Sequence, residues 1–241
     1  GTEIFKESNC QSDNQAIEKA IQLAIQDTLI KAIYLEVGSV DGSLANIESL
    51  RRSLLEFKKS GRKIISYSTA MSQIGYHLSS VADSIYLGNM IGLEWKGLGA
   101  QLLYFKSMLG KIGVKAEPIR VGKYKSAIEP FIMDSISNEN EYQVKELLTD
   151  VWMNICSDIE ESRSISKKDL EFAANELGVL TPEEALRYGF VDAIKYEDEV
   201  KNVFSKLLHG NEKYISVKQL VNANPPVSFA DDKLVVVNAE G

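Results

Sequence analysis

The chain has 241 residues, room for one large domain or two small ones, and its 44% hydrophobic and 25% charged residues are those of a folded protein rather than a disordered one. A formal net charge of −7, with no Lys/Arg run reaching five residues, makes nucleic acid an unexpected partner. No apolar run approaches the roughly 18 residues that cross a bilayer, and Cys10 and Cys156 form no C-x-x-C pair, so neither a zinc site nor a structural disulfide is expected.

The opening at Gly1, without a methionine or a signal peptide, reads as a piece of a longer protein. Ser12 and Asp13 can cap a helix whose apolar positions Ile17, Ile21, Ala24 and Ile25 recur at helical spacing. "KAIYLEV" (31–37) follows as a strand, and "GSVDGS" (38–43) as a glycine-punctuated turn. The next helix carries Leu44, Ile47, Leu50, Leu54 and Phe57 and stops at Gly61. "RKIISYS" (62–68) is a second strand of the buried type, a short helix is predicted around 71–82, and "SIYLG" (84–88) is a third strand. A helix over about 99–111 and a strand "VKAEPIRVG" (114–122) complete the alternation.

Strands alternating with helices imply right-handed crossovers and a largely parallel sheet covered by helices, an α/β fold. After Pro130 the pattern turns helical. Ser137 starts a long helix to about Arg163, with Val144, Leu147, Leu148, Val151, Ile155 and Ile159 on one face. Ser166 and Asp169 start another, and Thr181, Pro182 and Glu184 form a capping box with proline at the first helical position. "NANPPVSFADD" (222–232) is a linker by composition, and "KLVVVNAEG" (233–241) reads as the first strand of a further unit. The expected division is a domain over 1–221 and a linker with an opening strand over 222–241.

The chemistry-bearing residues are few. Only His77 and His209 could serve a histidine-dependent serine hydrolase, and both have plainer readings, His77 as a packed or surface residue and His209 as a helix-end residue. No G-x-S-x-G elbow occurs, and "GSVDGS" lacks the endings of a phosphate loop, so no nucleotide or other cofactor is expected. The remaining feature is "IRVGKYKSAIEPF" (119–131). Ile119, Val121, Tyr124, Ala127, Ile128, Pro130 and Phe131 surround two lysines with groups that could remove them from water. Burial disfavours a charged ammonium, and a neutral lysine can take a proton from a serine hydroxyl. Side-chain alternation does not separate Lys123 from Lys125, although Lys123, within the glycine turn, is the more readily solvated of the two.

"RVGKYKSAIEPF" closely resembles the lysine segment in the amino-terminal half of the long-form signal peptide peptidase SppA (protease IV) family, and "TPEEALRYGFVDAI" (181–194) resembles the T-x-x-E-A-x-x-x-G-[LF]-V-D segment of that family and its ClpP/crotonase-fold relatives. The resemblance implies a ClpP/crotonase-like fold of repeated β-β-α-type units with a helical C-terminal extension. It puts the general base of a serine/lysine dyad on Lys125. It also marks two departures. The nucleophile segment resembling A-S-G-G-Y-Y corresponds to "SQIGYH" (72–77), where Gln73 takes the nucleophile's place and Ser72 stands one residue early. The oxyanion loop N-S-P-G-G-S corresponds to "GSVDGS", where Asp41 replaces a glycine and sets a negative charge against a developing oxyanion.

Together these imply the lysine-donating repeat of a membrane-associated peptidase whose second repeat carries the nucleophilic serine. The resemblance further implies signal peptides and other extended hydrophobic peptides as substrates, no cofactor, no metal, and a homo-oligomer (a tetramer among the options). The catalytic part would face the extracytoplasmic side of the bacterial inner membrane, with the anchor outside this chain. The alternatives are a crotonase-like acyl-CoA enzyme and a non-catalytic assembly domain.

Overall fold

Apolar runs and amphipathic segments alternate along the first 90 residues, and the chain folds accordingly. The computed structural model describes residues 2–6, 14–38, 43–119, 122, 124–210 and 212–224. In chain order these form β1 (Thr2–Lys6), α1 (Asn14–Gln26), β2 (Ile30–Glu36), α2 (Leu44–Lys59), β3 (Lys63–Ser68), α3 (Gln73–Ser79), β4 (Ser84–Leu87) and β5 (Leu93–Trp95). There follow α4 (Lys106–Lys111), α5 (Glu129–Ile132), α6 (Asn138–Arg163), α7 (Lys167–Phe172), a π-helical turn (Ala173–Leu177) and β6 (Gly178–Leu180). The chain continues through α8 (Pro182–Arg187), β7 (Ala193–Ile194), α9 (Glu197–Leu207), β8 (Glu212–Ser216) and α10 (Val217–Ala223).

A helix between successive strands returns the chain to the same end of the sheet, so from β1 to β4 each strand pairs parallel with the one before it. The result is a six-stranded sheet in the order β7-β4-β3-β2-β1-β8, with every pairing parallel. Alternate residues of β2 and β3 supply its two faces. Ile33 and Ile64 share a core with Ala20, Ile21 and Ala24 of α1 and with Ile47, Leu50, Leu54 and Phe57 of α2. Ala32, Tyr34, Ile65 and Tyr67 point the other way and pack with Val200, Phe204 and Leu208 around α9. Covering both faces explains why these strands read as near-continuous apolar runs.

After β4 the chain leaves this sheet. β5 pairs antiparallel with β6, and Gly92 makes that approach possible: a Cβ there would lie 1.8 Å from the carbonyl oxygen of Leu180. An aromatic cluster fixes the junction, with Tyr76 of α3 5.7 Å from Trp95 and 5.1 Å from Phe190, and Trp152 of α6 5.1 Å from Trp95. The "GFVD" segment acts here. Phe190 is buried, and Asp192 accepts the backbone N–H of Ile85 at 2.7 Å and pairs with Arg163 at 2.9 Å. The expected capping box at Thr181 is present in full.

Two expected elements differ. The helix predicted over 99–111 is confined to Lys106–Lys111, with irregular chain before it. The strand predicted over 114–122 is absent among its described residues: 114–119 join no sheet, and Val114 and Ile119 are exposed. Pro118 removes one ladder donor, and a strand needs an edge to pair with, which alternation alone does not supply. Arg120, Val121 and Lys123 lie outside the described residues, as do Ser12, Asp13 and the expected strand at 233–241.

Candidate active site

Three segments converge at the start of α3. The stretch leading into it pairs with β5: the Met71 N–H donates to Gly92 O at 3.3 Å and the Glu94 N–H to Met71 O at 2.9 Å. Ser72 is the N-cap, its hydroxyl oxygen accepting the Gly75 N–H at 3.1 Å. Gln73 then extends the pairing with its side chain. Its Oε1 accepts from the backbone N–H groups of Lys96 and Gly97 at 3.0 and 2.9 Å, and its Nε2 donates to Gly97 O at 3.2 Å. The carboxamide thus serves as an added peptide unit beside residues 96–97. Gly75 admits the third segment, the end of β2: a Cβ there would lie 2.9 Å from Val37 Cγ1 and 3.2 Å from Gly38 O.

The position that the resemblance gives to a nucleophile is therefore filled by a carboxamide with no nucleophilic oxygen, engaged on three backbone groups. The neighbouring serine is engaged as a cap. Asp41, in the loop corresponding to the oxyanion loop, lies outside the described residues. On the far side of residues 96–97 runs an open groove of about 680 Å³ toward α6, with Leu98, Val144, Leu148 and Trp152 among its apolar lining.

Lys125 lies away from the core. It is exposed, and so are Ile119, Tyr124 and Phe131 of the same segment, so the apolar neighbourhood expected to desolvate the lysine does not bury it in this chain. The segment is nonetheless anchored. The Glu129 N–H closes a turn on Ser126 O at 2.9 Å, the Phe105 N–H donates to Pro130 O at 2.6 Å, and Phe105 stacks on Phe131 at 6.1 Å. Glu129 itself is only 1% exposed.

Of the two plainer readings of His77, packed or surface, the structure shows the packed one. It is buried, with Nε2 at 2.8 Å from Asp158 Oδ2, and buried Arg51 reaches the His77 carbonyl, Ser80 Oγ at 2.6 Å and Asp158 at 3.5 Å. Burial, with Arg51 beside the ring, holds the imidazole neutral down to about 4, against the opposing pull of Asp158. Glu48, His77 and Asp158 bring possible metal-ligand atoms within 4.8 Å of one another, but Arg51 already supplies the counter-charge there. His209 follows the end of α9 with a φ of 56°. Sequence reasoning missed Glu129, Arg51 and Asp158. Arg51 carried a signal, since it shares a helix face with Ile47 and Leu54.

The sequence model of peptidase family S49 matches residues 56–210. Protease 4 of Haemophilus influenzae is 36% identical over 149 residues, 61% of this chain and 24% of that protein. The chloroplastic serine protease SPPA of Arabidopsis thaliana is 28% identical over 190 residues, 79% of this chain and 28% of that protein. This chain thus spans about a quarter of the length of these relatives. A solved mutant of 1510-N, a membrane-bound stomatin-specific protease, superposes with a TM-score of 0.51 at 14% identity, covering 88% of this chain and 93% of that one. The architecture is ClpP/crotonase-like.

Proposed function

The chain belongs to peptidase family S49, and on that premise we propose that it is the lysine-donating half of a serine/lysine-dyad peptidase, working with a second repeat that carries the nucleophilic serine. The start of α3 carries this reading. A chain that supplied its own nucleophile would present a hydroxyl there, whereas Gln73 presents an amide bonded to residues 96–97. Lys125, by contrast, stands exposed beside uncovered apolar side chains. A partner surface laid over Tyr124, Phe131 and Ile119 would remove the lysine from water, which is what a general base of this kind requires.

The chemistry then divides between two repeats. The serine hydroxyl of the second repeat attacks the scissile carbonyl while Lys125 Nζ takes its proton, and the resulting ammonium returns a proton to the leaving amine. Substrates are extended hydrophobic peptides, cleaved signal peptides among them. The exposed apolar residues Leu102, Leu103, Met108, Ile112 and Val114 support assembly with further surfaces, either the second repeat or copies of the chain. The working site lies on the extracytoplasmic face of a bacterial membrane. Among the described residues no helix is long and apolar enough to cross one, so the anchor would come from elsewhere.

The purified chain alone should leave a peptide ester uncleaved. Turnover that disappears in Ser72→Ala would place a nucleophile in this half and overturn the reading.

A further inference from the structure

We infer that Glu129 is a positioning residue for Lys125, holding the lysine segment against the first turn of α6 through directional hydrogen bonds. The inference rests on the reading of Lys125 as the general base.

A carboxylate that is 1% exposed forfeits its hydration and is tolerated only where donors replace it. Glu129 is well supplied. Ser137 Oγ donates to its Oε1 at 2.6 Å, and Asn140 Nδ2 donates to its Oε2 at 3.0 Å, with the Ser137 N–H at 3.4 Å. Ser137 is at the same time the N-cap of α6, its Oγ accepting the Asn140 N–H at 3.2 Å. The serine hydroxyl therefore accepts from the helix and donates to the carboxylate, while the asparagine side chain closes the ring. Placing an anion at the N-terminus of a 26-residue helix adds a favourable dipole interaction.

An apolar residue would fill the same space more cheaply. What a carboxylate adds is direction: two oxygens and the donors that Ser137 and Asn140 supply admit few orientations of the backbone that carries them. That backbone leads straight to the lysine. The Glu129 N–H closes the turn on Ser126 O at 2.9 Å, and Lys125 is the next residue upstream. The exposed Lys125 stem thus projects from a turn whose far end is fixed to the longest helix of the fold. A base that must meet a hydroxyl on another repeat needs such an anchor, because a misplacement near 1 Å can cost about 100-fold in rate.

The test uses the protein assembled with its second repeat and compares Glu129→Ala, Glu129→Gln, Asn140→Ala and Lys125→Ala on one peptide substrate. Glu129→Ala should lower kcat about 100-fold with KM changed less than about twofold. Glu129→Gln, which keeps the shape and one acceptor, should recover at least about tenfold of that loss. Asn140→Ala, which deletes one donor from a different element, should lower kcat about tenfold and serves if Glu129→Ala does not fold. If Lys125→Ala is inactive while Glu129→Ala and Asn140→Ala keep kcat within about threefold, the positioning role is overturned and the reading of Lys125 stands. A loss of kcat that Glu129→Gln fails to restore and that tracks the loss of folded protein would also overturn it. An active Lys125→Ala would overturn the reading beneath it.

Discussion

Two stretches of comparable apolar content meet opposite fates. Between Ile30 and Leu87, Ile33, Ile64, Phe57 and Ile85 are fully buried, each with a facing residue from another element. Between Leu98 and Phe131, Leu103, Met108, Ile112, Ile119 and Tyr124 are exposed, although the segment is no more polar to read. The first stretch completes itself by folding back through short crossovers. The second is an arm held by the Phe105–Pro130 hydrogen bond and by Glu129 on α6, with many of its described apolar side chains exposed. On the proposed reading the body supplies stability, and the arm is the surface that the second repeat would cover.

That contrast breaks first in mutational stability. Phe57→Ala removes a fully buried ring and should cost about 3–5 kcal/mol in urea unfolding of the chain, whereas Met108→Ala should stay within about 0.5 kcal/mol. A cost above about 2 kcal/mol for Met108→Ala would show that the arm is packed in solution as the core is.

A second contrast lies in pH, because the body hides a titrating group. The His77 ring stays neutral in the folded chain down to about pH 4, while an unfolded histidine takes its proton near pH 6.5. The unfolded chain therefore binds more protons between these values. The stability tied to the neutral ring is complete above about pH 6.5 and is lost as pH falls toward 4, by an amount on the order of 3 kcal/mol. Melting at closely spaced pH values should show this slope, and His77→Gln should flatten it even with Glu48, Asp158 and Arg51 in place. A slope unchanged in His77→Gln would assign the acid loss to other groups.

The smallest effect concerns the junction of the two stretches. Gln73→Ala frees the backbone groups of Lys96 and Gly97 and should cost about 1–2 kcal/mol without creating peptidase activity in the chain alone. Hydrogen exchange should report it as faster exchange at Lys96 and Gly97. Unchanged exchange there would mean that the carboxamide does not hold the segment.

The same contrast explains what could be read in advance. "KAIYLEV" and "RKIISYS" were legible because a strand covered on both faces leaves a nearly unbroken apolar run, and α8 because Thr181, Pro182 and Glu184 sit within one turn. The stretch 114–119 misled because Val114 and Ala116 alternate like an edge strand, and alternation says nothing about whether an edge is available. At the site, the motif resemblance singles out Gln73 and Lys125 but says nothing of what their side chains touch. Gln73 bonds to residues 23 and 24 positions on, and His77 meets Asp158 81 positions on, distances that no local pattern encodes. Nothing in "SAIEPF" marks Glu129 as a buried acid. Its burial depends on Ser137 and Asn140 coming back over it.

The most direct test of the central claim is the peptidase activity of the chain joined to its proposed second repeat and carrying Lys125→Ala, read beside Lys123→Ala in the same assay. The account predicts that Lys125→Ala abolishes turnover while the protein still folds, and that Lys125→Arg is equally inactive because a guanidinium stays protonated. Lys123→Ala should keep most of its activity. Turnover by Lys125→Ala together with an inactive Lys123→Ala would contradict the account.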